Sequence, residues 1–237
     1  MASDLSRYSR LEELIEIARE LRRDRSFRLI APSLRADAMS EMLLELLAES
    51  GEKTITIAPE TCEELRYRIG KGFPDESLLN VCKLLKKHGI TRIKLYMMFG
   101  LPGETMKDLE EAVKLVREIK DLGFRVRVSA NPFVPKPHTP MESEEFEDPR
   151  ILRRKLKFLR RELGRILSTD GIRQAYLQAI IARGDERIGE LILETVREYR
   201  KPTLAAIRRK AKKMGINLDD YAKRGSEERP WRRIRLT

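Results

Sequence analysis

The sequence predicts an α/β fold of parallel strands, followed by a helical carboxyl-terminal region. Three short apolar or β-branched segments are each followed by a segment with apolar residues at helical spacing. Each strand and helix unit is about 30 residues long, the length of a parallel crossover unit. Such units give right-handed crossovers between parallel strands, in an open sheet or in a closed or partial barrel. The hydrophobic pattern alone leaves both arrangements open.

The elements follow one another in a regular order. A helix is predicted first, over residues 9–23, because acidic residues come early and arginines late, as the helix dipole prefers. Three strand and helix units come next: the strands lie at 26–32, 53–58 and 92–99, and the helices at 39–49, 74–88 and 109–122. A glycine follows each of these helices and is expected to end it. A fourth strand, 124–130, leads into a proline-rich loop over 131–141.

A change of composition marks a boundary near residue 148. The acidic stretch 142–147 precedes strongly basic helical sequence over 149–165. Further helices are predicted up to residue 182, over 186–200 and over 203–214. We therefore expect an α/β domain over 1–148, a basic helical region over 149–223 and a basic tail over 224–237 that is unstructured unless Trp231 anchors it.

The composition indicates a water-soluble protein with a basic surface. The 237 residues include 49 Lys plus Arg and 38 Asp plus Glu, which gives a net charge of +11, and 41% are hydrophobic, enough for a core. No segment approaches the ~20 apolar residues of a membrane span, and the first ten residues lack the apolar centre of a signal peptide. We expect a cytoplasmic protein that does not associate with membranes.

Cysteine usage argues against metal and disulfide chemistry within this chain. Cys62 and Cys82 are the only cysteines, and neither belongs to a CxxC pair. A disulfide framework or a self-contained zinc or iron–sulfur site is therefore not supported, and no metal ligand is assigned.

Polar and turn-forming residues follow each predicted strand. Ligands of parallel α/β folds bind at the carboxyl ends of the strands. Helix capping and turn formation are the favoured explanation for any one of these loops, but four of them together favour a ligand site. The most informative loop is GLPGET, in which Gly100 and Gly103 allow the backbone to approach a ligand, Pro102 stiffens the turn and Glu104 supplies a carboxylate.

Read together, these segments resemble the radical S-adenosylmethionine (SAM) superfamily. The similarity is greatest to the branch with methylthiotransferases and with proteins that carry a cobalamin-binding domain before the radical domain. It lies in the segments TITIAPET, LRYRIGKGF, KLYMMFGLPGETMKDLEEAV and NPFVPKPHTPME. The resemblance covers roughly residues 26–141 and implies a partial, TIM-like (β/α) barrel, in which the four predicted strands are the third to sixth of the family. A helical carboxyl-terminal extension follows it.

The resemblance also implies roles for individual residues. Glu60 is implied near the ribose or amino group of SAM. Lys71 is implied to face the SAM carboxylate, and Arg68 is the alternative for that role. The other positions implied for SAM are Met98, Phe99, Gly100, Pro102, Glu104, Val134 and Pro135. Substrate contacts are implied for Ser33, Arg35, Asn131, Lys136 and His138, although a lone histidine among prolines is more often a structural donor. No catalytic residue is assigned.

A defining feature of the superfamily is absent from the sequence. Its CxxxCxxC segment gives three thiolates to one [4Fe–4S] cluster, and Cys62 and Cys82, which are 20 residues apart, cannot replace it. The opening residues resemble the loop after the second strand of the family, so we expect the cluster on a missing amino-terminal segment or on a second chain. The chain is then the SAM- and substrate-binding part of an iron–sulfur enzyme, unable by itself to cleave SAM. The alternative is an inactive scaffold or an RNA-binding module.

The positive charge has two interpretations. Much of its excess falls after residue 148, and basic patches bind nucleic acid through phosphate contacts. Because related methylthiotransferases modify tRNA, the resemblance makes RNA or tRNA a candidate substrate. The alternative is a solvated, ion-paired helix face, which the alternation of charges over 155–162 favours. Only 6% of the residues are aromatic, which argues against recognition by base stacking.

Overall fold

The computed structural model describes residues 8–24, 34–199 and 202–234. The helices are α1 Leu11–Asp24, α2 Glu41–Glu49, α3 Glu63–Arg68, α4 Asp75–Lys87, α5 Met106–Asp121, α6 Pro149–Leu163, α7 Ile172–Ala182, α8 Glu186–Glu198, α9 Leu204–Lys213 and α10 Leu218–Arg224. The strands are β1 Thr54–Glu60, β2 Arg92–Phe99, β3 Arg125–Pro132 and β4 Leu167–Ser168. None of the described helices is long and apolar enough to cross a membrane.

The strands form one parallel sheet in the order β1-β2-β3-β4. In β1 and β2 the residue pairs run from Thr54 opposite Arg92 to Ile57 opposite Leu95, and β3 pairs with β4 through Val128 and Leu167. A helix follows each of β1, β2 and β3 before the next strand begins, as parallel connections require. The predicted parallel α/β fold with a helical extension is confirmed.

The sheet differs from the prediction in which strands it contains. The predicted strand at 26–32 lies outside the described residues, although the adjacent Leu34 forms a parallel bridge with Ile57. The fourth strand observed, β4, comes from a region predicted to be helical only. It is two residues long, too short for any hydrophobic period to identify it. The helices α3 and α10 were also missed.

The chain divides into two compact units. The first consists of the described residues up to Met98 together with 105–130 and 158–168, and the second of 99–104, 131–157 and the described residues from 169 onward. The sequence regions predicted at 1–148, 149–223 and 224–237 stay a prediction.

The core of the first unit lies between one face of the sheet and its helices. Burial alternates along β2, where Ile93, Leu95 and Met97 are buried. The apolar stripe of α5 is buried as well, and it consists of Leu109, Ala112, Val113, Val116 and Ile119. Alternation of this kind leaves the other face of the sheet for polar side chains, among them Lys94 and Tyr96.

The second unit is held together by a buried arginine. Arg183 follows α7 and is fully buried. Its guanidinium donates to the carbonyls of Glu142 and Glu144, at 3.1 and 2.8 Å, and to those of Ala222 and Lys223, at 2.7 and 3.0 Å. The indole N–H of the buried Trp231 donates to Glu142 Oε2 at 3.2 Å. Trp231 therefore anchors the residues that follow α10.

Candidate functional site

Glu60 ends β1 in a conformation that non-glycine residues seldom adopt. Its φ is +66°, and the pairing of β1 with β2 shifts in register between Ile57 and Glu60. A side chain in this region costs of order 1 kcal/mol or more and persists only where the surroundings impose it. Strain of this kind concentrates at functional sites.

Arg66 imposes the conformation. Its fully buried guanidinium donates to the carbonyls of Pro59 and Thr61, each at 2.9 Å, on the two sides of Glu60. It also donates to the carbonyl of Phe73 at 2.9 Å and to Asp75 Oδ1 at 2.8 Å. A buried charge is tolerated when it is paired and hydrogen-bonded in this way. Sequence reasoning missed Arg66, although it lies inside the LRYRIGKGF segment.

The same arginine positions the loop that carries Lys71. Lys71 N–H donates to the carbonyl of Arg66 at 3.0 Å, and Gly70 takes a φ of +76°, which turns the chain there. The ammonium of Lys71 then contacts Glu60 Oε1. The two side chains are 34% and 15% exposed, so the pair is accessible to a ligand. Arg68 instead lies on the exposed surface near Glu64.

An accessible carboxylate beside an ammonium is complementary to an amino acid zwitterion. The carboxylate can accept from a ligand ammonium, and the lysine can donate to a ligand carboxylate. The methionine portion of SAM carries both groups. Glu60 and Lys71 therefore fit SAM, and Arg68 does not share their position.

The cysteines of the chain do not fit an iron–sulfur cluster. Cys62, at the start of α3, and Cys82, within α4, are both buried. Burial raises the pKa of the Cys62 thiol and raises that of Cys82 to about 12. A [4Fe–4S] cluster needs at least three cysteine ligands, and this chain has two.

Cys62 also lies beside Asp108 and Glu111, whose ligand atoms are within 4.8 Å of it and of each other. Asp108 Oδ2 is already engaged, because it accepts from the backbone N–H and the hydroxyl of Thr105 at 2.6 and 2.7 Å. These contacts form a capping box at the start of α5. The cluster is explained by helix capping, and no metal is assigned to it.

In the second unit, the GLPGE turn is closed by its own glutamate. Glu104 Oε2 accepts from the N–H of Gly100 at 2.6 Å and from Lys155 Nζ at 3.0 Å. Lys155 Nζ also donates to the carbonyl of Glu104 at 3.0 Å and to Glu147 Oε1 at 2.7 Å. Burial raises the pKa of Glu104, against the opposing effect of the Lys155 ammonium.

The first glycine of that turn is required by packing. Gly100 has a φ of +80°, and a Cβ there would lie 2.4 Å from Leu152 Cδ2. Gly103 has a φ of +73°. The sequence predicted that both glycines allow a ligand to approach, whereas the close neighbour of Gly100 is a leucine of the same unit.

The remaining predicted positions differ in their surroundings. Phe99 and Pro135 are buried, and Met98, Pro102, Val134 and Lys136 are half-buried. Asn131 Oδ1 accepts from the N–H of Asp170 at 2.8 Å, and burial lowers the pKa of Lys136. His138 is exposed, with a φ of +59°, and its N–H donates to Glu142 Oε2 at 3.0 Å.

Two predicted substrate residues lie earlier in the chain. Arg35 forms a two-point ion pair with Asp37, at 2.9 and 2.8 Å. Ser33 lies outside the described residues.

Residues 4–116 match the family model of the radical SAM superfamily. An uncharacterized protein of Methanocaldococcus jannaschii is 36% identical over 216 residues, which cover 87% of this chain and 45% of that protein. The heme chaperone HemW of Bacillus subtilis is 31% identical over 78 residues, 32% of this chain and 21% of HemW. The chain thus spans less than half the length of either relative.

Two solved structures share the fold. The radical SAM methyltransferase TsrM of Kitasatospora setae, with cobalamin and a [4Fe–4S] cluster bound, superposes with a TM-score of 0.51 and 18% identity, over 60% of this chain and 29% of TsrM. SuiB of Streptococcus suis superposes with a TM-score of 0.50 and 15% identity, over 74% of this chain and 39% of SuiB. At these identities the likeness shows the fold alone.

Proposed function

Because residues 4–116 match the family model of the radical SAM superfamily, we propose that the chain is the SAM- and substrate-binding part of a radical SAM iron–sulfur enzyme. The observation that carries the proposal is the Glu60–Lys71 pair, held at a strained strand end by the buried Arg66. The contacts by which Arg66 imposes the positive φ of Glu60 go to the carbonyls of Pro59 and Thr61 and do not use the Glu60 side chain. A role in binding explains why a strained residue carries a half-buried carboxylate.

Glu60 and Lys71 bind the amino acid portion of SAM in this proposal. The carboxylate of Glu60 accepts from the SAM ammonium, and Lys71 turns its ammonium toward the SAM carboxylate. Further contacts to SAM are proposed for Met98, Phe99, Gly100, Pro102, Glu104, Val134 and Pro135. Substrate contacts are proposed for Arg35, Asn131, Lys136 and His138. SAM bound to a reduced cluster is the source of radical chemistry in this superfamily.

The cluster itself is proposed to lie outside these 237 residues. Three thiolates are needed, and the sequence contains two buried cysteines. A cluster-bearing segment of the same protein or of a partner chain must then complete the enzyme. The chain alone, incubated with SAM and a strong reductant, is expected to produce no 5′-deoxyadenosine. Production of that compound by the chain alone would contradict this part of the proposal.

Calorimetric titration of the chain with SAM tests the binding site. Lys71→Met is expected to weaken SAM binding by about tenfold or more, the loss of one charge-assisted hydrogen bond. Glu60→Gln keeps the shape of the side chain and removes the charge, so a similar loss is expected. Arg68→Met is the matched control, because it removes the same charge three residues away from an exposed side chain.

Three results would contradict the SAM site. The wild-type chain could fail to bind SAM, which would favour the alternative of an inactive scaffold or an RNA-binding module. Arg68→Met could weaken binding as much as Lys71→Met, which would show that the change in net charge alone accounts for the weaker SAM binding. Lys71→Met and Glu60→Gln could both leave SAM binding unchanged, which would place the amino acid portion of SAM elsewhere.

A further inference from the structure

The second unit contains a surface cavity of ≈550 Å³ that is lined by three arginines. They are Arg153 of α6, Arg173 of α7 and Arg208 of α9, and the apolar part of the lining includes Ile172, Tyr176 and Leu204. A neighbouring cavity of ≈630 Å³ shares Arg173, Leu204 and Arg208 with the first. The two form one continuous depression, which we name the arginine groove.

Some arginines of this chain have acidic partners, whereas the arginines of the groove have none within the described residues. Arg117 and Arg232, for example, pair with Glu162 and Glu142 at 2.5 Å. Among the described residues, no carboxylate lies within 4.0 Å of the guanidinium of Arg153, Arg173 or Arg208. All three side chains belong to exposed residues, and the described structure shows an ion pair for none of them.

The balance of charge in the groove is positive. Asp170 is the carboxylate of the first cavity's lining, against three guanidinium groups. The Arg208 guanidinium lies 5.3 Å from the centre of the Tyr176 ring, a cation–π contact that fixes its direction. The start of α7 adds to this field, because Gly171 at its N-cap has no side chain to accept from the first N–H groups.

We propose that the arginine groove binds a phosphate group attached to an apolar or aromatic body, as in a nucleotide, either free or within single-stranded RNA. Guanidinium groups match the geometry of phosphate oxygens, and the apolar lining provides a surface for a base. A cavity of this volume falls in the range of small-molecule sites, roughly 300 to 1,000 Å³. The groove shares no residue with the proposed SAM contacts, so either proposal can fail while the other holds.

Binding measurements on the full chain test the proposal with two probes. One is AMP, titrated by calorimetry, and the other is a fluorescent single-stranded RNA of about 12 nucleotides, followed by anisotropy over a series of KCl concentrations. Arg153→Gln and Arg173→Gln are each expected to weaken binding by about tenfold to a hundredfold. Arg154→Gln is the matched control, because Arg154 is the exposed neighbour of Arg153 on α6 and does not line the groove.

A variant that is expected to tighten binding separates an effect of local charge from a loss of folding. Asp170→Asn removes the carboxylate of the lining, so it is expected to tighten binding, which a damaged fold cannot do. For RNA, engagement of three phosphates predicts a slope of log K against log salt of about −2, reduced by about 0.7 for each groove arginine removed. Unchanged thermal melting of each variant confirms that the fold is retained.

The two probes distinguish the sources of the phosphate. Saturable AMP binding that Arg173→Gln weakens and Arg154→Gln does not identifies a free nucleotide. RNA binding with the same variant pattern, in the absence of AMP binding, identifies a phosphodiester. The proposal is overturned if neither probe binds, if the control weakens binding as much as the groove variants, or if Asp170→Asn weakens it.

Discussion

Replacing Lys155 by methionine measures what the buried charges of the second unit contribute to stability. Lys155 is 3% exposed, and its ammonium contacts the carboxylates of Glu104 and Glu147 at 3.0 and 2.7 Å. Methionine fills most of the same space but leaves both carboxylates without their cation. Removing one partner of a buried ion pair costs about 3 to 5 kcal/mol. Because the Glu147 side chain is 19% exposed and partly solvated, we expect a loss of about 3 kcal/mol.

Urea unfolding followed by tryptophan fluorescence gives a direct readout. Trp231 is the sole tryptophan and is buried in the same unit as Lys155, so its emission reports the unfolding of that unit. A loss of about 3 kcal/mol corresponds to a decrease of about 1 to 3 M in the urea midpoint.

Lys157→Met is the matched control for this substitution. Lys157 lies on the same helix and is exposed, so its replacement is expected to change stability by less than about 0.5 kcal/mol. A Lys155→Met midpoint equal to that of the control would refute the reasoning. It would mean that the contacts of Lys155 with Glu104 and Glu147 contribute nothing measurable to stability.

Two further predictions concern the GLPGE turn. Burial raises the pKa of Glu104 in the folded state above 4.5, its ordinary value, so its contribution to stability is complete below that value and is lost as the pH rises through the raised pKa. The wild type is therefore expected to lose stability relative to Glu104→Gln as the pH rises above about 4.5, measured by urea midpoints, and an opposite trend would show that the Lys155 attraction exceeds the burial effect. Gly100→Ala is expected to cost about 2 kcal/mol or more, because the new Cβ combines a φ of +80° with a contact at 2.4 Å to Leu152. Gly51→Ala is its control: Gly51 has the same φ of +80°, and no described atom lies within 4 Å of a Cβ there, so equal losses for the two variants would exclude a role for the Leu152 contact.

The hydrophobic pattern was sufficient to predict the helices and strands that have long apolar faces. The strand predicted over 92–99 coincides with β2, and the helices predicted over 74–88 and 109–122 correspond to α4 and α5 with ends shifted by one to three residues. These faces are buried against neighbours, so burial imposes a period on the sequence. The two residues of β4 have no period to detect.

The site was less accessible to sequence reasoning, for a different physical reason. Resemblance singled out Glu60 and Lys71, which the structure places in contact, but it passed over Arg66. The acceptors of Arg66 are mainly backbone carbonyls. Every residue has a backbone carbonyl, so the sequence does not show which of them accept a hydrogen bond. The cation that pairs with Glu104 comes 51 residues later in the chain, at Lys155, and no local pattern connects the two.

Arg183 has a consequence for the order in which the protein folds during synthesis. Two of its carbonyl acceptors, at Ala222 and Lys223, lie 39 and 40 residues later, and Trp231 follows its acceptor Glu142 by 89 residues. A nascent chain that has emerged only as far as α9 lacks these partners, and Arg183 is then a buried cation with unpaired donors or an exposed one. The second unit is therefore expected to reach its native packing only after the residues that follow α10 have been synthesised, well after the residues of β1 and β2 have left the ribosome.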